Sequence, residues 1–598
     1  MAWWWRVPAA AIVMLALAML AVPAAAQGST VSISIDARNQ TGKLNPNLVG
    51  FAFDSRVTQP GAAPGQGFPP LSARTLRFDA GFQDLVACPY HSAQPFDPTR
   101  LAQLQSNLDV VDQAGADAIL ILDYMPRCLA DTYPGDPRDP TRLPPKDPAV
   151  WQSVVQQLAQ TAGPGRVAQG KRPVRYFEVW NEPDWLFYQG SQAEFMTNIL
   201  EPAGRGVAAV AAKSGVDLRF GVCGCLVPDP AWMVPMLQVA KQSGIPIGFV
   251  SWHYYANYPF TGPDGPEPSF PVQFAPVLQL YGQKNPTASP ESYVIQTGQV
   301  RQWVQASLGH IPELMIDEWN ISAGGFDKRM DTNEGAAFQA ATLAAFASVD
   351  LDRASLFAAY DGYTKDIYGN PLPPRYGGWG VVDRANYRKP AWYAQWMWEQ
   401  LGPTRLASPQ DPIGGNWTGA AASAAGVQVL TSSFLASNAQ DHDLALSVGG
   451  LSRGAWSAAI FRVDGTHPGS TQPAEVQKVV VRADRIAHLD TSLPAQSVVL
   501  VELSPTGSAA PGVPANVASL PNTSIASPGE ARGPIALAIS AGVFVPSVII
   551  ALGFALAMFL LTNEASLDFG RPLRNWLLSR AAQRLGRLRV AGDAGRLA

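Results

Sequence analysis

The sequence predicts an α/β fold: a (β/α)8 TIM barrel, an accessory antiparallel β-sandwich domain and a C-terminal transmembrane helix. Eight strand-like runs alternate with helical patterns over most of the chain, which predicts a closed parallel barrel. From about residue 406 short runs separated by turn residues replace this alternation, a pattern typical of a β-sandwich. The uncharged run 535–561 is long enough to cross a bilayer. A chain of 598 residues has room for these separate units.

The predicted barrel spans residues 42–405. Its strands are apolar, β-branched or aromatic runs that end at turn-forming residues, as buried parallel strands do. They are Leu48–Asp54, Thr75–Ala80, Ala116–Asp123, Tyr176–Asn181, Arg219–Cys225, Gly248–Tyr254, Leu314–Trp319 and Ala354–Tyr360. Helical apolar spacing fills intervening segments such as Pro148–Ala162, Gln192–Ser214 and Ala336–Ser348. An open doubly wound sheet is the alternative, but no glycine-rich phosphate turn follows the first strand.

Residues 27–41 together with 406–505 are predicted to form the β-sandwich. Its strands follow an alternating or apolar pattern without any long helix between them. They are Val427–Ser432, Asp443–Val448, Trp456–Val463, Val476–Val481 and Ser497–Leu503, and Val31–Asp36 is expected to add an edge. Residues 506–534 are rich in Pro, Ala, Gly and Ser, which predicts a flexible linker.

The two ends of the chain predict export and membrane anchoring. Residues 1–26 have a positive flank, an apolar stretch and a small-residue cleavage site, as in a signal peptide; an uncleaved anchor is the alternative. The arginine-rich tail 562–598 follows the predicted span, so the positive-inside rule places this tail in the cytoplasm. We therefore expect a single-pass type I protein of the plasma membrane with its catalytic domain outside the cytoplasm. A sortase-like motif at 520–524 ends in Ser where Gly is required, which disfavours sortase anchoring.

Charge and cysteine content exclude some classes of protein. A net charge of −4 over this length does not show the basic character that is typical of a nucleic-acid-binding protein. The chain has 4 cysteines, none with the spacing of a metal site. Cys88 and Cys128 follow successive strands and would form a disulfide if they are neighbours. Cys223 and Cys225 lie two residues apart in one strand, so their side chains point the same way, a geometry poorly suited to a mutual bond. Four free thiols are the alternative.

Two glutamates carry the predicted chemistry. Glu182 ends the run Tyr-Phe-Glu-Val-Trp-Asn-Glu after strand four, and Glu318 lies in Met-Ile-Asp-Glu-Trp-Asn at strand seven. The carboxyl ends of barrel strands meet around one pocket, so the two carboxyl groups would face each other there. Paired carboxylates are what hydrolysis of a glycosidic bond requires.

The neighbours of the two glutamates predict different roles for them. Arg77, at the end of strand two, would keep Glu318 ionised for attack on the anomeric carbon. Apolar and charged surroundings would raise the pKa of Glu182, so that it donates and accepts the proton in turn. Asn181 would bind the sugar 2-hydroxyl, and aromatic rings at the barrel rim, including Trp319, would stack on the sugar.

These motifs resemble those of a known enzyme clan. Trp180-Asn181-Glu182-Pro183 and Asp317-Glu318-Trp319-Asn320 look like the acid/base and nucleophile motifs of the retaining glycosidases of clan GH-A. The segment Ser251–Tyr255 (Ser-Trp-His-Tyr-Tyr) and the segments 380–383 and 389–394 are similar to glycoside hydrolase family 39. That family contains β-xylosidases, α-L-iduronidases and endo-acting exopolysaccharide hydrolases, with a β-sandwich beside the barrel. The resemblance covers roughly residues 31–503.

The resemblance implies that Glu182 is the acid/base and Glu318 the nucleophile. Arg77, Asn181, His253 and Tyr255 would position the substrate, and neither a metal nor an organic cofactor is needed. Many members of the clan place a Trp on strand eight, where this chain has Phe357-Ala358-Ala359-Tyr360. The platform under the reactive sugar would then be Tyr360 or Trp379.

The expected function is that of a retaining glycoside hydrolase acting on a cell-surface or extracellular polysaccharide or oligosaccharide. A non-catalytic surface carbohydrate-binding protein is one alternative, and a transglycosylase using the same two glutamates is another. The carbohydrate substrate and the membrane are the expected partners. The sugar, the linkage, exo or endo action and the oligomeric state stay open at this point.

Overall fold

The computed structural model describes residues 29–52, 71–256, 261–262, 265–266, 289–323, 327–362 and 378–506. Eight parallel strands close into a barrel in which each strand pairs with its neighbour in sequence order, and the eighth pairs with the first. Strands one to eight are Gly50–Ala52, Thr75–Asp79, Asp117–Leu122, Tyr176–Val179, Arg219–Cys225, Ile247–Tyr255, Glu313–Asn320 and Arg353–Phe357. The predicted barrel is confirmed, and its closure excludes the open sheet.

A small apolar cluster fills the barrel interior beneath the carboxyl ends of the strands. It consists of Ile119, Tyr176, Phe249 and Met315, all fully buried. The rings of Tyr176 and Phe249 meet edge to face at 5.6 Å between centroids. Only glycine fits at position 221, because a Cβ there would lie 2.0 Å from the ring of Phe249. Inward-facing side chains two residues further along these strands therefore lie one layer closer to the barrel mouth.

Helices surround the barrel, and several begin at an Asp-Pro pair. Proline suits the first helical position, and the preceding aspartate caps the helix. The carboxylates of Asp97, Asp147 and Asp229 accept backbone N–H groups at 2.9, 2.9 and 2.8 Å. The α-helices are Phe82–Leu85, Pro98–Gln113, Pro148–Ala162, Pro164–Val167, Gln192–Glu194, Glu201–Ser214, Pro230–Gln242, Glu291–Leu308, Asn333–Ser348 and Pro390–Glu399, with a π-helical turn at Phe195–Leu200. Short 3₁₀ turns cover Pro46–Leu48, Pro140–Arg142 and Lys328–Asp331.

Two further sheets form the predicted sandwich around a second apolar core. The larger sheet is antiparallel and contains Gln40–Lys43, Thr404–Leu406, Gln410–Asp411, Asn416–Ser423, Gly426–Ser433, Gly454–Val463, Glu475–Val481 and Ser497–Pro505. The smaller sheet contains Ser29–Asp36, His442–Gly449 and Ala487–Leu493. The early strand does join the sandwich, but it pairs parallel to its neighbour, so the domain is not wholly antiparallel. A two-residue pair, Thr261–Gly262 with Gly265–Pro266, stands apart.

The end of barrel strand eight differs from its prediction. The strand was expected to continue to Tyr360, but regular pairing stops at Phe357. Beyond it the chain pairs with the late segment instead: the N–H of Ala358 donates to the Trp379 carbonyl at 3.1 Å, and Tyr360 meets Val382 in an isolated bridge. The late segment around Trp379 therefore packs directly on the end of this strand.

All four cysteines are paired. Cys88 and Cys128 form the disulfide that the sequence left open beside free thiols, with their Cα atoms 5.8 Å apart. The expectation for Cys223 and Cys225 was wrong, because they are bonded to each other with Cα atoms 4.8 Å apart. The prediction assumed a regular strand. A bulge interrupts strand five between these cysteines, and Cys223 has φ of 93°, so the simple alternation of side chains does not hold there.

Several predicted segments lie outside the described residues. They are the signal peptide 1–26, the linker after Thr506, the membrane span 535–561 and the basic tail 562–598. Among the helices that the structure does describe, none combines the length and the apolar character that crossing a bilayer demands.

The Cys88–Cys128 disulfide should contribute measurably to stability. It closes a loop of 40 residues, and a crosslink of that span restricts the unfolded chain by about 3–4 kcal/mol. We expect the Cys88→Ser/Cys128→Ser variant to lose about that much free energy of unfolding. Urea unfolding followed by tryptophan fluorescence measures the loss, and an unchanged midpoint would contradict the prediction.

Candidate active site

Glu182 and Glu318 meet at the mouth of the barrel. Glu318 lies within strand seven, and Glu182 follows the last residue of strand four by three positions. The backbone N–H of Glu182 donates to the carbonyl of Gly224 on strand five at 2.8 Å. One carboxylate oxygen of each glutamate and one ring nitrogen of His253 lie within 4.8 Å of one another. The predicted pair is thus brought into one site.

A strained turn aims Glu182 into this site. Trp180 and Glu182 both have left-handed backbone conformations, with φ of 63° and 44°. Such conformations cost about 1–3 kcal/mol each and persist only where the surroundings impose them. Here the indole N–H of Trp180 donates to the carbonyl of Phe187 at 3.0 Å, and its fully buried ring meets the ring of Tyr124 edge to face. Packing of Trp180 therefore fixes the turn that carries Glu182.

Arg77 is the central cation of the site and is 3% exposed. Its guanidinium donates to Glu178 at 2.7 Å, to the side-chain oxygen of Asn181 at 2.9 Å and to Glu318 at 3.2 Å. It also pairs with Asp317 at 3.3 Å. Burial alone would lower the pKa of Arg77, but the charges of these carboxylates raise it well above the usual value. Arg77 thus stays positive and links strands two, four and seven.

His253 and Tyr255 lie two residues apart on strand six, and each is hydrogen-bonded to one of the two glutamates. The Nδ1 atom of His253 is hydrogen-bonded to Glu182 at 2.8 Å, and the Tyr255 hydroxyl donates to Glu318. Burial and the charge of Arg77 hold the pKa of His253 well below its usual value, so the imidazole is neutral. The predicted pair on one face of the strand is therefore found at the site, with one residue beside each carboxyl group.

The two carboxyl groups differ in their electrostatic surroundings. Burial raises the pKa of Glu182 well above its ordinary value, and the charges of Glu318 and Asp184 raise it further. Burial also raises the pKa of Glu318, but Arg77 and the Tyr255 hydroxyl both oppose that rise. Of the two, Glu182 therefore holds a proton more readily. The sequence predicted this order, but it did not predict that burial would raise the pKa of Glu318 as well.

A layer of polar residues beneath the two glutamates was missed by the sequence analysis. Glu178 is fully buried and accepts both from Arg77 and from the hydroxyl of Ser251. Asp317 is buried beside Arg77, and its burial together with the charge of Glu178 raises its pKa well above the usual range. Glu178 and Ser251 lie two residues after Tyr176 and Phe249 of the barrel floor. Residues two positions apart on a strand point to the same side, so polar residues two positions after the apolar residues of the barrel floor could have been recognised as inward-facing.

Strands three and two add two more carboxyl groups at the mouth. Asp123 is fully buried, and burial and the nearby charge of Asp79 raise its pKa well above the ordinary value. Tyr124, the next residue, is hydrogen-bonded to Asn181. No run of the sequence marks Asp123 and Tyr124 as part of a site, because they simply follow an apolar strand.

The aromatic residues predicted at the rim fall into two groups. Trp319 is 1% exposed, and its ring packs against Phe346, Tyr293 and Phe338 at 5.1, 6.3 and 6.4 Å between centroids. This places Trp319 in the core between the barrel and its helices, away from any substrate, because it alternates in direction with Glu318.

Tyr360 and Trp379 lie after strand eight, and each is half-buried. The ring of Trp379 meets Phe357 edge to face at 4.9 Å, and its N–H donates to the carbonyl of Ala323 at 3.1 Å. The amide of Asn320, at the end of strand seven, donates to the carbonyls of Phe357 and Trp379. Trp379 is thereby fixed beside the strand end that carries Glu318, in keeping with a platform role.

Among the described residues, a cation would find three close ligand atoms only in groups that already have partners. In the described part of the chain, the one set of three close ligand atoms from His, Cys, Asp or Glu comes from Glu182, His253 and Glu318. Glu182 and His253 already hydrogen-bond each other, and Glu318 already accepts from Arg77 and Tyr255. The arrangement suits proton transfer and attack by carboxylates.

Comparisons with known proteins agree with this fold. No protein-family model matches the chain. A β-xylosidase of Caldicellulosiruptor saccharolyticus is 24% identical over 348 residues, which cover 56% of this chain and 64% of that enzyme, a little under two thirds of its length.

Solved structures extend the likeness to the barrel and sandwich together. A monomeric β-xylosidase from Caulobacter crescentus CB15 has a TM-score of 0.62 at 20% identity, covering 79% of this chain and 99% of that one. A family 39 enzyme from Xanthomonas axonopodis pv. citri has a TM-score of 0.63 at 19% identity, covering 81% and 99%. A bacterial orthologue of human α-L-iduronidase has a TM-score of 0.58 at 16% identity, covering 81% and 84%. At these identities the likeness establishes the fold, and the predicted resemblance to family 39 is confirmed.

Asp184 gives the site a testable pH dependence of stability. Burial raises its pKa from 3.8 to about 7, while the backbone N–H of Leu226 donates to it at 3.0 Å. A folded-state pKa above the unfolded one stabilises the fold below the unfolded pKa, and that contribution is lost as the pH rises through about 7. Three pKa units at about 1.4 kcal/mol each amount to about 4 kcal/mol.

We therefore expect the free energy of unfolding of the wild type, relative to Asp184→Asn, to fall by about 4 kcal/mol between about pH 4 and about pH 8. Asparagine keeps an oxygen for the Leu226 N–H but does not titrate. Urea unfolding of both proteins across this range measures the difference. Parallel curves would contradict the assignment.

Proposed function

We propose that this chain is a retaining glycoside hydrolase of family 39, with Glu182 as acid/base and Glu318 as nucleophile. The observation that carries the proposal is the approach of their carboxylate oxygens to within 4.8 Å. Retaining enzymes hold their carboxyl groups about 5–5.5 Å apart, whereas inverting enzymes leave about 6.5–9.5 Å for a water molecule. The short separation favours direct attack by one carboxylate on the sugar.

In the first step Glu318 attacks the anomeric carbon while Glu182 protonates the leaving oxygen. Arg77 and Tyr255 both donate to the carboxylate of Glu318, which favours its ionised form. Glu182 contacts His253, which is neutral, and the charge of Arg77 does not outweigh burial and the nearby acids. Its raised pKa keeps a proton available for the leaving group at neutral pH.

In the second step Glu182 acts as the base that activates water. Once Glu318 has become an ester with the sugar, its negative charge no longer opposes ionisation of Glu182. The charge of Glu318 is one of the two main causes of the raised pKa of Glu182, so forming the ester lowers that pKa. The same residue is thereby suited first to donate a proton and then to accept one.

Asn181 and Arg77 are proposed to fix the orientation of the sugar. The Asn181 oxygen accepts from Arg77, which leaves the amide nitrogen as the group presented to the mouth beside Tyr124. A donor held in this way can bind the sugar 2-hydroxyl, a contact that strengthens in the transition state. Trp379 supplies an aromatic face beside strand eight.

A carbohydrate is the proposed substrate, and the membrane anchoring of the enzyme is part of the proposal. The β-xylosidase names of two relatives make a β-xyloside the first compound to test. The signal-like segment 1–26 and the apolar run 535–561 support a tethered enzyme that works outside the cytoplasm. Both carboxyl groups are present and their electrostatic surroundings differ, which argues against a protein that only binds carbohydrate.

Replacement of the nucleophile should abolish hydrolysis. We expect Glu318→Ala to lower kcat/KM for para-nitrophenyl β-D-xyloside by about ten-thousandfold or more, because the variant lacks the carboxylate that attacks the anomeric carbon. Added azide should restore turnover and yield a glycosyl azide of inverted configuration. Proton NMR of the product identifies the anomer, and wild-type activity in the variant would refute the assignment. A panel of other aryl glycosides covers the case of a different sugar.

Replacement of the acid/base should depend on the leaving group. We expect Glu182→Ala to lower kcat/KM by about a hundredfold or more for poorly activated glycosides, but far less for dinitrophenyl glycosides, which leave without a proton. Azide should here yield a product of retained configuration.

The pH profile checks the same role of Glu182. Since its pKa is raised, wild-type activity should fall only as the pH rises well above the ordinary range of a glutamate. This alkaline limb should be absent in Glu182→Ala. An alkaline limb that persists in the variant would assign the proton to another group.

A further inference from the structure

A disulfide within three consecutive residues lies directly beside the acid/base. Cys223 and Cys225 are bonded to each other and are both fully buried. Gly224, between them, provides the carbonyl that accepts the backbone N–H of Glu182 at 2.8 Å. The covalent ring thus encloses the residue that holds the main chain of Glu182.

The backbone of this ring departs from a regular strand. Cys223 has φ of 93° and Gly224 has φ of 50°, and the pairing with strand six shifts between Cys223 and Cys225. A residue other than glycine rarely adopts φ near +90°, and such a conformation persists only where the surrounding structure imposes it. The bond between the two sulfur atoms is a constraint that acts directly on these residues.

Gly224 also joins Glu182 to the buried polar layer. Its N–H donates to the hydroxyl of Ser251 at 3.1 Å, and Ser251 in turn donates to Glu178, the partner of Arg77. The fit is close, because a Cβ on Gly224 would lie 3.1 Å from the Glu178 carboxyl group. A shift of Gly224 would therefore disturb the backbone of Glu182 and the carboxylate that anchors Arg77 together.

We propose that the Cys223–Cys225 disulfide is a positioning element for the acid/base Glu182. The proposal rests on the function proposed above. The disulfide keeps the bulge of strand five in the conformation that points the Gly224 carbonyl at Glu182. Without it, Cys223 would relax towards an ordinary strand conformation, and the carbonyl would move away from the Glu182 N–H. Proton transfer depends steeply on such placement, since an error of about 1 Å can cost about a hundredfold in rate.

The disulfide is poorly suited to be a general stabiliser. The gain from constraining the unfolded chain grows with the length of the loop that is closed, and here the cysteines are separated by 2 positions. The other disulfide, Cys88–Cys128, closes a loop of 40 and lies nearer the surface, with Cys88 exposed. It is therefore a matched control, because its loss affects stability without touching Glu182.

The first experiment asks whether the bond exists in the full-length protein. Unfolding without reductant in the presence of iodoacetamide should add no label to any of the 4 cysteines, as measured by intact mass and located by peptide mapping. Label on Cys223 and Cys225 would overturn the proposal.

The second experiment measures positioning without a substrate. Hydrogen exchange should become at least about tenfold faster in the segment 180–184 of Cys223→Ser/Cys225→Ser, because the Glu182 N–H loses its fixed acceptor. The same segment should be unchanged in Cys88→Ser/Cys128→Ser. A second variant, Cys223→Gly/Cys225→Ser, removes the strain of φ at 93° together with the bond and serves if the serine pair fails to fold. It should show the same faster exchange, because glycine is free to leave this conformation once the bond no longer holds it. Equal exchange in the wild type and the variants would refute the proposal.

The third experiment separates a positioning role from a structural one. On aryl β-D-xylosides, Cys223→Ser/Cys225→Ser should lose about a hundredfold in kcat/KM for poor leaving groups but less than about threefold for the dinitrophenyl compound. Its alkaline pH limb should also move to lower pH, because loosening admits water to Glu182. An equal loss for every leaving group would mean general damage and would overturn the proposal. A lack of dependence on the leaving group in Glu182→Ala itself would mean that the proposed function fails. The hydrogen-exchange experiment would then still decide the role of the disulfide.

Discussion

One buried cation organises the mouth of the barrel. Arg77 has four carboxylate or amide partners on strands four and seven, and each would be costly to bury without it. Because Glu178 and Asp317 hold the guanidinium from below, its remaining N–H groups face Asn181 and Glu318. The placement of Asn181 and Glu318 at the mouth therefore follows from the hydrogen bonds and ion pairs of the single buried cation Arg77.

The two glutamates differ because their partners differ. Glu318 receives hydrogen bonds from a cation and from the hydroxyl of Tyr255, whereas Glu182 contacts a neutral imidazole and faces other acids. Burial raises the pKa of both carboxyl groups, so their difference comes from the neighbours and not from depth alone. Two residues of one chemical type are thereby suited to opposite tasks.

Backbone irregularities place the reactive groups. A shift in pairing between Ile316 and Glu318 allows both acids of strand seven to reach Arg77, although neighbours in a regular strand point in opposite directions. The left-handed backbone conformations of Trp180 and Glu182 likewise direct the Glu182 side chain into the site after strand four. A sequence reading that assumes regular strands locates such residues correctly along the chain. It cannot give the direction of their side chains, which is why the bond between Cys223 and Cys225 was missed.

For Cys88 and Cys128 the sequence left a disulfide and free thiols both open. The eight strands, the sandwich that follows them and the pair Glu182 and Glu318 could be predicted from it alone. These depend on local hydrophobic period and on the rule that the ends of parallel strands meet, so no distant contact was needed to find them. The tertiary structure decided which polar groups lie under that pair. It also decided that Trp319 belongs to the core and that Gly224 holds Glu182. The reason is physical: burial, charge and hydrogen-bond partners depend on segments far apart in the chain, and only the closed barrel brings those segments together.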